Sequence, residues 1–221
     1  MLKYSSDCYE ENFEKLHREI DIFLENKHDK PSYAYLNWRT SYGGKGYKFK
    51  EIAEGYFVSS ILLLSESIKN HTERLGDATI FPIIFNVLHG IELYLKGMLF
   101  IISDYCDNKG YSFTANVWGH SIKDLLSEVK NQAMSLGLDS ITCKDISILE
   151  DFFNQMFKYS DDVTFARYPY DARNAEHFYI NMGTNIILDM QVLAEWVKSI
   201  FYVLDRNFIN LSGEIKSGNQ S

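Results

Sequence analysis

The amino-acid sequence predicts an all-α fold, a bundle of about five to six helices, and three observations support this prediction. The chain of 221 residues contains only three prolines, so little in it interrupts long helices. Apolar residues recur at spacings of three and four along most of the chain, which is typical of amphipathic helices. Hydrophobic residues make up 46% of the sequence, which is ample for a core without disulfides or metal ions.

Six segments have this helical periodicity, and turn-forming or capping residues separate them. They cover approximately residues 6–27, 50–75, 80–102, 119–136, 144–158 and 185–209. Thr79 is expected to cap the helix at 80–102, and Ser121 with Asp124 resembles a capping box at the start of the next one. Because the helix at 80–102 is apolar nearly all round, we expect it in the middle of the bundle.

Three other segments lack helical periodicity. Residues 28–49 are rich in glycine and tyrosine, which predicts an irregular or partly extended segment. Residues 160–182 contain two runs suited to short extended arms around a turn-rich centre, which predicts an ordered loop or small hairpin laid over the bundle. The small, polar residues 212–221 predict a disordered tail. We therefore expect a single helical domain over residues 1–211.

The charge and cysteine content argue against several classes of protein. A formal net charge of -8 disfavours general nucleic-acid binding, which needs clustered lysine and arginine. Cys8, Cys106 and Cys143 are odd in number, widely spaced and without a CxxC motif, which argues against a disulfide framework and a zinc site. No cofactor or metal ion is predicted, and a reducing, cytoplasmic location is the simple inference.

Neither the N-terminus nor the most apolar stretch is expected to enter a membrane. The N-terminus is charged from its first residues and lacks the apolar core of a signal peptide. The apolar stretch at 80–102 contains His89, Glu92 and Lys96, and charged residues are costly at the centre of a bilayer. We therefore predict a buried helix at 80–102 and no membrane partner.

The central helix carries the first candidate site. His89, Glu92 and Lys96 are three and four residues apart, so they project within about 60° of one another on a helix. They form either an internal Glu92–Lys96 pair with His89 capping a neighbour, or the lining of a polar pocket. His120 precedes the next helix, where its ring either points at a neighbouring carboxylate or bonds to the backbone of a turn.

The segment 161–177 carries the second candidate site. Arg167, Arg173 and His177 are candidate catalytic residues, because arginine stabilises a pentavalent phosphate while histidine moves protons during phosphodiester cleavage. Tyr168 and Asp171 are candidate binding residues of the same segment. The alternative is a salt-bridged loop without a catalytic role, pinned by Tyr168 and the proline that follows it.

Three motifs together resemble the HEPN-like helical domains (the higher-eukaryote and prokaryote nucleotide-binding bundles). The run Glu92-Leu93-Tyr94-Leu95-Lys96 is similar to the core of the second family helix, Gly119-His120 precedes a helix in a similar way, and the stretch 166–171 reads ARYPYD. The order and rough spacing of the three motifs fit, and the resemblance covers about residues 50–205.

This resemblance implies a bundle of four to six helices, often dimeric. Many family members are metal-independent ribonucleases of toxin–antitoxin, abortive-infection or other anti-phage systems, and others bind nucleotides, RNA or protein without catalysis. The nuclease branch has an arginine followed by four to six residues and then a histidine. Here Arg173 and His177 are separated by three residues, and Arg167 and His177 by nine.

Two functions follow as expectations. The first is a HEPN-like module of a prokaryotic defence or toxin–antitoxin-type system, which binds protein, a nucleotide or RNA through a polar pocket. That pocket is formed around His89, Glu92, Lys96, His120 and Arg167, with Tyr168 and Asp171 as further binding residues. A homodimer or a partner protein is expected. The alternative is a metal-independent ribonuclease toxin or effector that uses the arginine and histidine residues of the 167–177 segment.

Overall fold

The computed structural model describes residues 34–36, 39–70, 74–138, 141–160, 163–180 and 186–218. The chain divides into two compact units, Met1–Leu36 and Asn37–Ser221. The single helical domain over residues 1–211 stays a prediction. The helix predicted at 6–27 lies outside the described residues. All the elements described below belong to the second unit.

Within the described ranges, the second unit forms five α-helices and no β-strand, which confirms the predicted all-α bundle. The helices are α1 (Lys45–Lys69), α2 (Leu75–Lys109), α3 (Ile122–Ser135), α4 (Cys143–Met156) and α5 (Met190–Gly218). A short 3-10 helix, Val163–Ala166, lies between α4 and α5.

Helix α2 is the centre of the bundle and packs against α1, α3 and α5. It is longer than predicted at both ends, and Gly110 ends it in the left-handed conformation with φ 70°. The prediction that Thr79 caps this helix is wrong. Thr79 lies inside α2, where its hydroxyl bonds to the Leu75 carbonyl at 2.9 Å and to the Ser67 hydroxyl at 2.7 Å.

Helix α2 also has the length and composition of a membrane span, with a mean hydropathy of 1.5 over its most apolar window. Half of that window is buried inside the structure. The core helix of a bundle has the same properties, so one such helix is weak support for a span. The cytoplasmic location stays a prediction.

Helix α1 begins within the segment that was predicted to be irregular. The glycine at its start is needed for a close crossing with α2. A Cβ atom on Gly46 would lie 2.6 Å from the Gly97 carbonyl oxygen of α2. The glycine that suggested a loop therefore allows two helices to approach closely. Gly43, with φ 79°, does form a turn before α1.

The predicted disordered tail is wrong for residues 212–218, because α5 continues to Gly218. The last three residues of that prediction lie outside the described residues. Phe208, Leu211 and Ile215 are buried and extend the apolar stripe of α5 at spacings of three and four. The Lys216 ammonium donates to the Tyr47 hydroxyl of α1 at 3.2 Å. These contacts hold the end of α5 on the bundle, although the small and polar residues of this stretch had predicted disorder.

Residues 163–180 form the predicted ordered loop over the bundle, called here the hairpin segment. Its first part is a 3-10 helix where an extended arm was expected. An antiparallel bridge joins Tyr170 to Glu176, and the Asp171 carboxylate accepts the backbone N–H groups of Arg173 and Ala175 at 2.8 Å each. The Asp171 side chain therefore closes the turn.

Candidate functional site

Glu92 of α2 is the centre of a cluster of basic groups. Its Oε1 atom accepts hydrogen bonds from Lys96 Nζ at 2.8 Å and from His120 Nδ1 at 2.9 Å. Its Oε2 atom lies 3.5 Å from His89 Nδ1. The structure thus brings together four of the residues that the sequence suggested for a polar pocket, namely His89, Glu92, Lys96 and His120. We call them the Glu92 site.

The cluster contains the internal pair that was one of the two interpretations of the sequence, whereas the polar pocket stays a prediction. Glu92 and Lys96 form an internal pair one helical turn apart on α2. His120 lies just before the N-cap Ser121 of α3, whose hydroxyl accepts the Asp124 N–H at 3.3 Å. This cap fixes the start of α3, and the His120 ring points at the carboxylate and not at the backbone of its own turn.

The Glu92 carboxylate is ionised over the whole physiological range. Burial alone would raise its pKa, but hydrogen bonds from His89, Lys96 and His120 and the charge of Lys96 lower the pKa to about 2. An ionised carboxylate only accepts hydrogen bonds, so Nδ1 of His120 carries the hydrogen of that contact. In a neutral His120, Nε2 is then the atom with the free lone pair.

Exposure changes steeply across the site. The side chains of Lys96 and Glu92 are 6% and 13% exposed, whereas the His120 side chain is 83% exposed. Among the described residues, no hydrogen-bond partner is found for Nε2 of His120. The Glu92–Lys96 ion pair is therefore the buried part of the site. The exposed part is His120, whose Nε2 atom faces solvent.

Stacked aromatic rings connect the Glu92 site to the hairpin segment. The His89 ring stacks on Phe85 with centroids 5.6 Å apart and an interplanar angle of 8°. Tyr56 of α1 packs edge-on against His89 at 4.6 Å. The Arg167 guanidinium lies 5.8 Å from the Phe85 centroid and 5.7 Å from that of Tyr168. Arg167 and Tyr168 are thus joined to the Glu92 site through one ring.

The other residues of the hairpin segment are not part of this cluster. Arg173 is exposed in the turn that Asp171 closes. His177 is buried, with 5% of its surface exposed, and its backbone N–H donates to the Pro169 carbonyl. Its Nε2 atom is buried without a hydrogen-bond partner. In the described part of the chain, no hydrogen bond or ion pair joins the side chains of Arg167, Arg173 and His177.

Sequence reasoning missed two residues of the site. Phe85 precedes His89 by four residues, so the same helical spacing that selected His89, Glu92 and Lys96 also selects it. Tyr56 lies on a different helix, and no local pattern in the sequence relates it to His89.

No family model, curated protein or solved structure matches this chain. Within the described residues, no group of three or more His, Cys, Asp or Glu side chains is arranged to hold a metal ion. The fold and the site define an all-α bundle with one carboxylate that is shared by a lysine and two histidines. The HEPN-like resemblance stays a prediction.

Proposed function

We propose that the Glu92 site binds an anionic, phosphate-bearing ligand, a nucleotide or RNA, and that the protein acts mainly as a binding module. The observation that carries this proposal is the excess of basic groups around a single carboxylate. Lys96 and Arg167 outnumber Glu92 by one charge, and His89 and His120 each add a further charge when protonated. This local excess occurs in a chain with a formal net charge of -8.

The exposed groups suit different parts of such a ligand. The planar guanidinium of Arg167 can bind a phosphate through two parallel hydrogen bonds. His120, fixed by Glu92, offers Nε2 to a phosphate or ribose oxygen. Tyr168, 57% exposed, provides a ring face for stacking a base. Glu92 itself acts by orienting His120 and by neutralising Lys96, because both of its oxygens are already occupied.

On this proposal the chain is a divergent HEPN-like module of a prokaryotic defence or toxin–antitoxin-type system, working with a second copy or a partner protein. The resemblance supports this assignment because its three motifs supply the site residues. One motif contributes Glu92 and Lys96, a second contributes His120, and the third contributes Arg167 and Tyr168.

The test is a titration of the full chain with ATP and, separately, with a fluorescein-labelled single-stranded RNA. We expect saturable binding, weakened at least tenfold by His120→Ala and by Arg167→Ala. Lys198→Ala is the matched control, because Lys198 is an exposed cation of α5 paired with Glu195. His120→Ala should change the free energy of unfolding by less than about 0.5 kcal/mol, since its side chain is mostly exposed.

Two results would overturn the binding proposal. One is a wild-type protein that binds neither probe. The other is unchanged affinity for the bound probe in both His120→Ala and Arg167→Ala.

A metal-independent ribonuclease is the second candidate, and the Glu92–His120 contact favours it. A carboxylate that holds a histidine through Nδ1 leaves Nε2 to act as a general base. His120 would take the proton of a ribose 2′-hydroxyl as the 2′-oxygen bonds to phosphorus. The bond from phosphorus to the 5′-oxygen would break, the 5′-oxygen would gain a proton from water, and Arg167 would stabilise the negative charge on the oxygens of the pentavalent phosphate. His177 fits this reaction less well than the sequence suggested, because its ring is buried.

The corresponding assay incubates the protein with total RNA in the presence of a chelator. If the protein is such a ribonuclease, the wild type and His177→Gln should both cleave the RNA, and His120→Ala should not. Loss of cleavage in His177→Gln, with His120→Ala active, would return the reaction to the residues of the 167–177 segment. Absence of cleavage by the wild type would leave the binding function alone.

A further inference from the structure

A second concave site lies apart from the Glu92 site. It is a cavity of about 360 Å³ bounded by the N-terminal part of α2, by α4, by the hairpin segment and by the start of α5. Its walls are mainly aromatic and aliphatic: α2 contributes Ile80, Phe81 and Ile84, and α5 contributes Leu193 and Trp196. No residue of the Glu92 site lines it. Small-molecule sites in proteins commonly have this size and this apolar lining.

Most of the polar groups around the cavity are committed to the fold. The Asp189 carboxylate accepts the backbone N–H groups of Gln191 and Val192 at 2.9 and 3.1 Å, and so caps α5. The Tyr179 hydroxyl makes its hydrogen bonds to the carbonyl oxygens of Phe165 and Tyr168. Neither group is therefore available to a ligand.

Lys158 and Gln155 are the exceptions among the lining residues. The Lys158 side chain is exposed at the mouth of the cavity, where the ammonium lies 5.2 Å from the centroid of the Tyr159 ring. The structure gives Lys158 no ion pair with any described carboxylate. Among the described residues, the cavity therefore has an apolar interior and, at its mouth, a lysine without an ion-pair partner.

We propose that this cavity binds a single-chain alkyl carboxylate, with the chain inside and the carboxylate on Lys158. Burial of the chain supplies most of the binding energy, because apolar surface leaves water. A cavity of about 360 Å³ lies near the lower end of the range for small-molecule sites, which favours a chain of medium length over a long one. The ammonium selects an anionic head over a neutral or cationic one.

The experiment is isothermal titration of the full chain with decanoate and decylammonium below their micellar concentrations and with decanol below its solubility limit. We expect saturable 1:1 binding of decanoate, weaker binding of decanol and the weakest binding of decylammonium. Lys158→Gln should weaken decanoate binding at least fivefold and leave decanol unchanged. Val192→Trp, at a half-exposed lining position, should abolish the binding of both by filling the mouth.

Two controls separate this proposal from that for the Glu92 site. Lys198→Gln removes another exposed lysine and should bind decanoate as the wild type does. His120→Ala should also retain decanoate binding, whatever its effect on nucleotides or RNA. The proposal is overturned if the wild type shows no saturable decanoate binding, if Lys158→Gln binds decanoate normally, or if decylammonium binds as tightly as decanoate.

Discussion

Helix α2 carries two clusters of charged side chains on opposite faces, and the two are built differently. Glu92 and Tyr94 are two residues apart, which places them about 200° from each other around the helix. Glu92 is the centre of the proposed binding site. Tyr94 belongs to a second cluster with Lys50, Glu54 and Asp205, which ties α1, α2 and α5 together.

In the second cluster two cations face three carboxylates, which leaves an excess of one negative charge. The Lys50 ammonium contacts Glu54 and lies 3.0 Å from Asp205 Oδ1, and the Tyr94 hydroxyl donates to the same oxygen at 3.2 Å. Burial, together with the charges of Asp205 and Glu54, raises the pKa of Tyr94, so it stays a neutral donor. Arg39 extends the cluster to Glu51 and Glu54. Acidic and basic groups are interleaved throughout.

The Glu92 site begins with a similar buried pair but does not end there. Beyond Lys96 and Glu92, the cluster continues outward to His120, which is mostly exposed, and through the Phe85 ring to Arg167. A buried ion pair alone therefore does not distinguish a structural tie from a site. The two differ in the sign of their excess charge, which is positive around Glu92 and negative around Lys50.

Among changes in the two clusters, Glu92→Gln is expected to lower the free energy of unfolding most. This change leaves the Lys96 ammonium buried without a counter-charge, which should lower the free energy of unfolding by about 3–5 kcal/mol. Urea denaturation at pH 7 measures it. Glu195→Gln is the matched control on an exposed stretch of α5 and should cost less than about 0.5 kcal/mol. A loss below about 1 kcal/mol for Glu92→Gln would mean that Lys96 is hydrated through an open pocket.

The second effect is a loss of stability in acid. The pKa of Glu92 falls from its usual value of about 4.5 to about 2 on folding. The stability that Glu92 contributes is therefore fully present above about pH 4.5 and is lost as the pH falls through 2. This shift corresponds to roughly 3 kcal/mol.

The measurement is the free energy of unfolding at several pH values between 6 and 2. The wild type should lose more stability over this range than Glu92→Gln does, whereas Glu195→Gln should follow the wild type. Parallel curves for the wild type and Glu92→Gln would contradict the lowered pKa.

The smallest effect is expected from Asp205→Asn in the second cluster. Lys50 keeps Glu54 as a partner, and the new amide oxygen still accepts from the Tyr94 hydroxyl. The expected loss is about 1 kcal/mol, the size of one weakened hydrogen bond. ATP and RNA affinity should stay at the wild-type value, because this cluster lies on the other face of α2. Reduced affinity at unchanged stability would mean that the two faces are coupled.

Local periodicity predicted much of the bundle and part of the site. The spacing of His89, Glu92 and Lys96 placed them on one face of a helix, and a helix fixes such directions regardless of its surroundings. The N-cap at Ser121 likewise depends on a single turn of backbone, so the position of His120 at the start of α3 followed from a local signal.

The remaining features depend on contacts between distant segments. Whether Arg167, Arg173 or His177 approaches the central helix is decided by the turn that Asp171 closes and by the packing of the hairpin segment on α2. The role of Gly46 depends on Gly97, fifty-one residues later in the chain. No spacing within one element indicates either contact.

The close contact between Gly46 and Gly97 also bears on which part of the Glu92 site can adapt to a ligand. Gly97 directly follows Lys96, so the buried Glu92–Lys96 pair lies beside the point where α1 and α2 approach most closely. On the hairpin segment, Arg167 is held by ring contacts, and within the described residues it has no ion pair. If the proposed ligand binds, we therefore expect Arg167 to adjust its position to the size of the ligand while the Glu92–Lys96 pair stays in place.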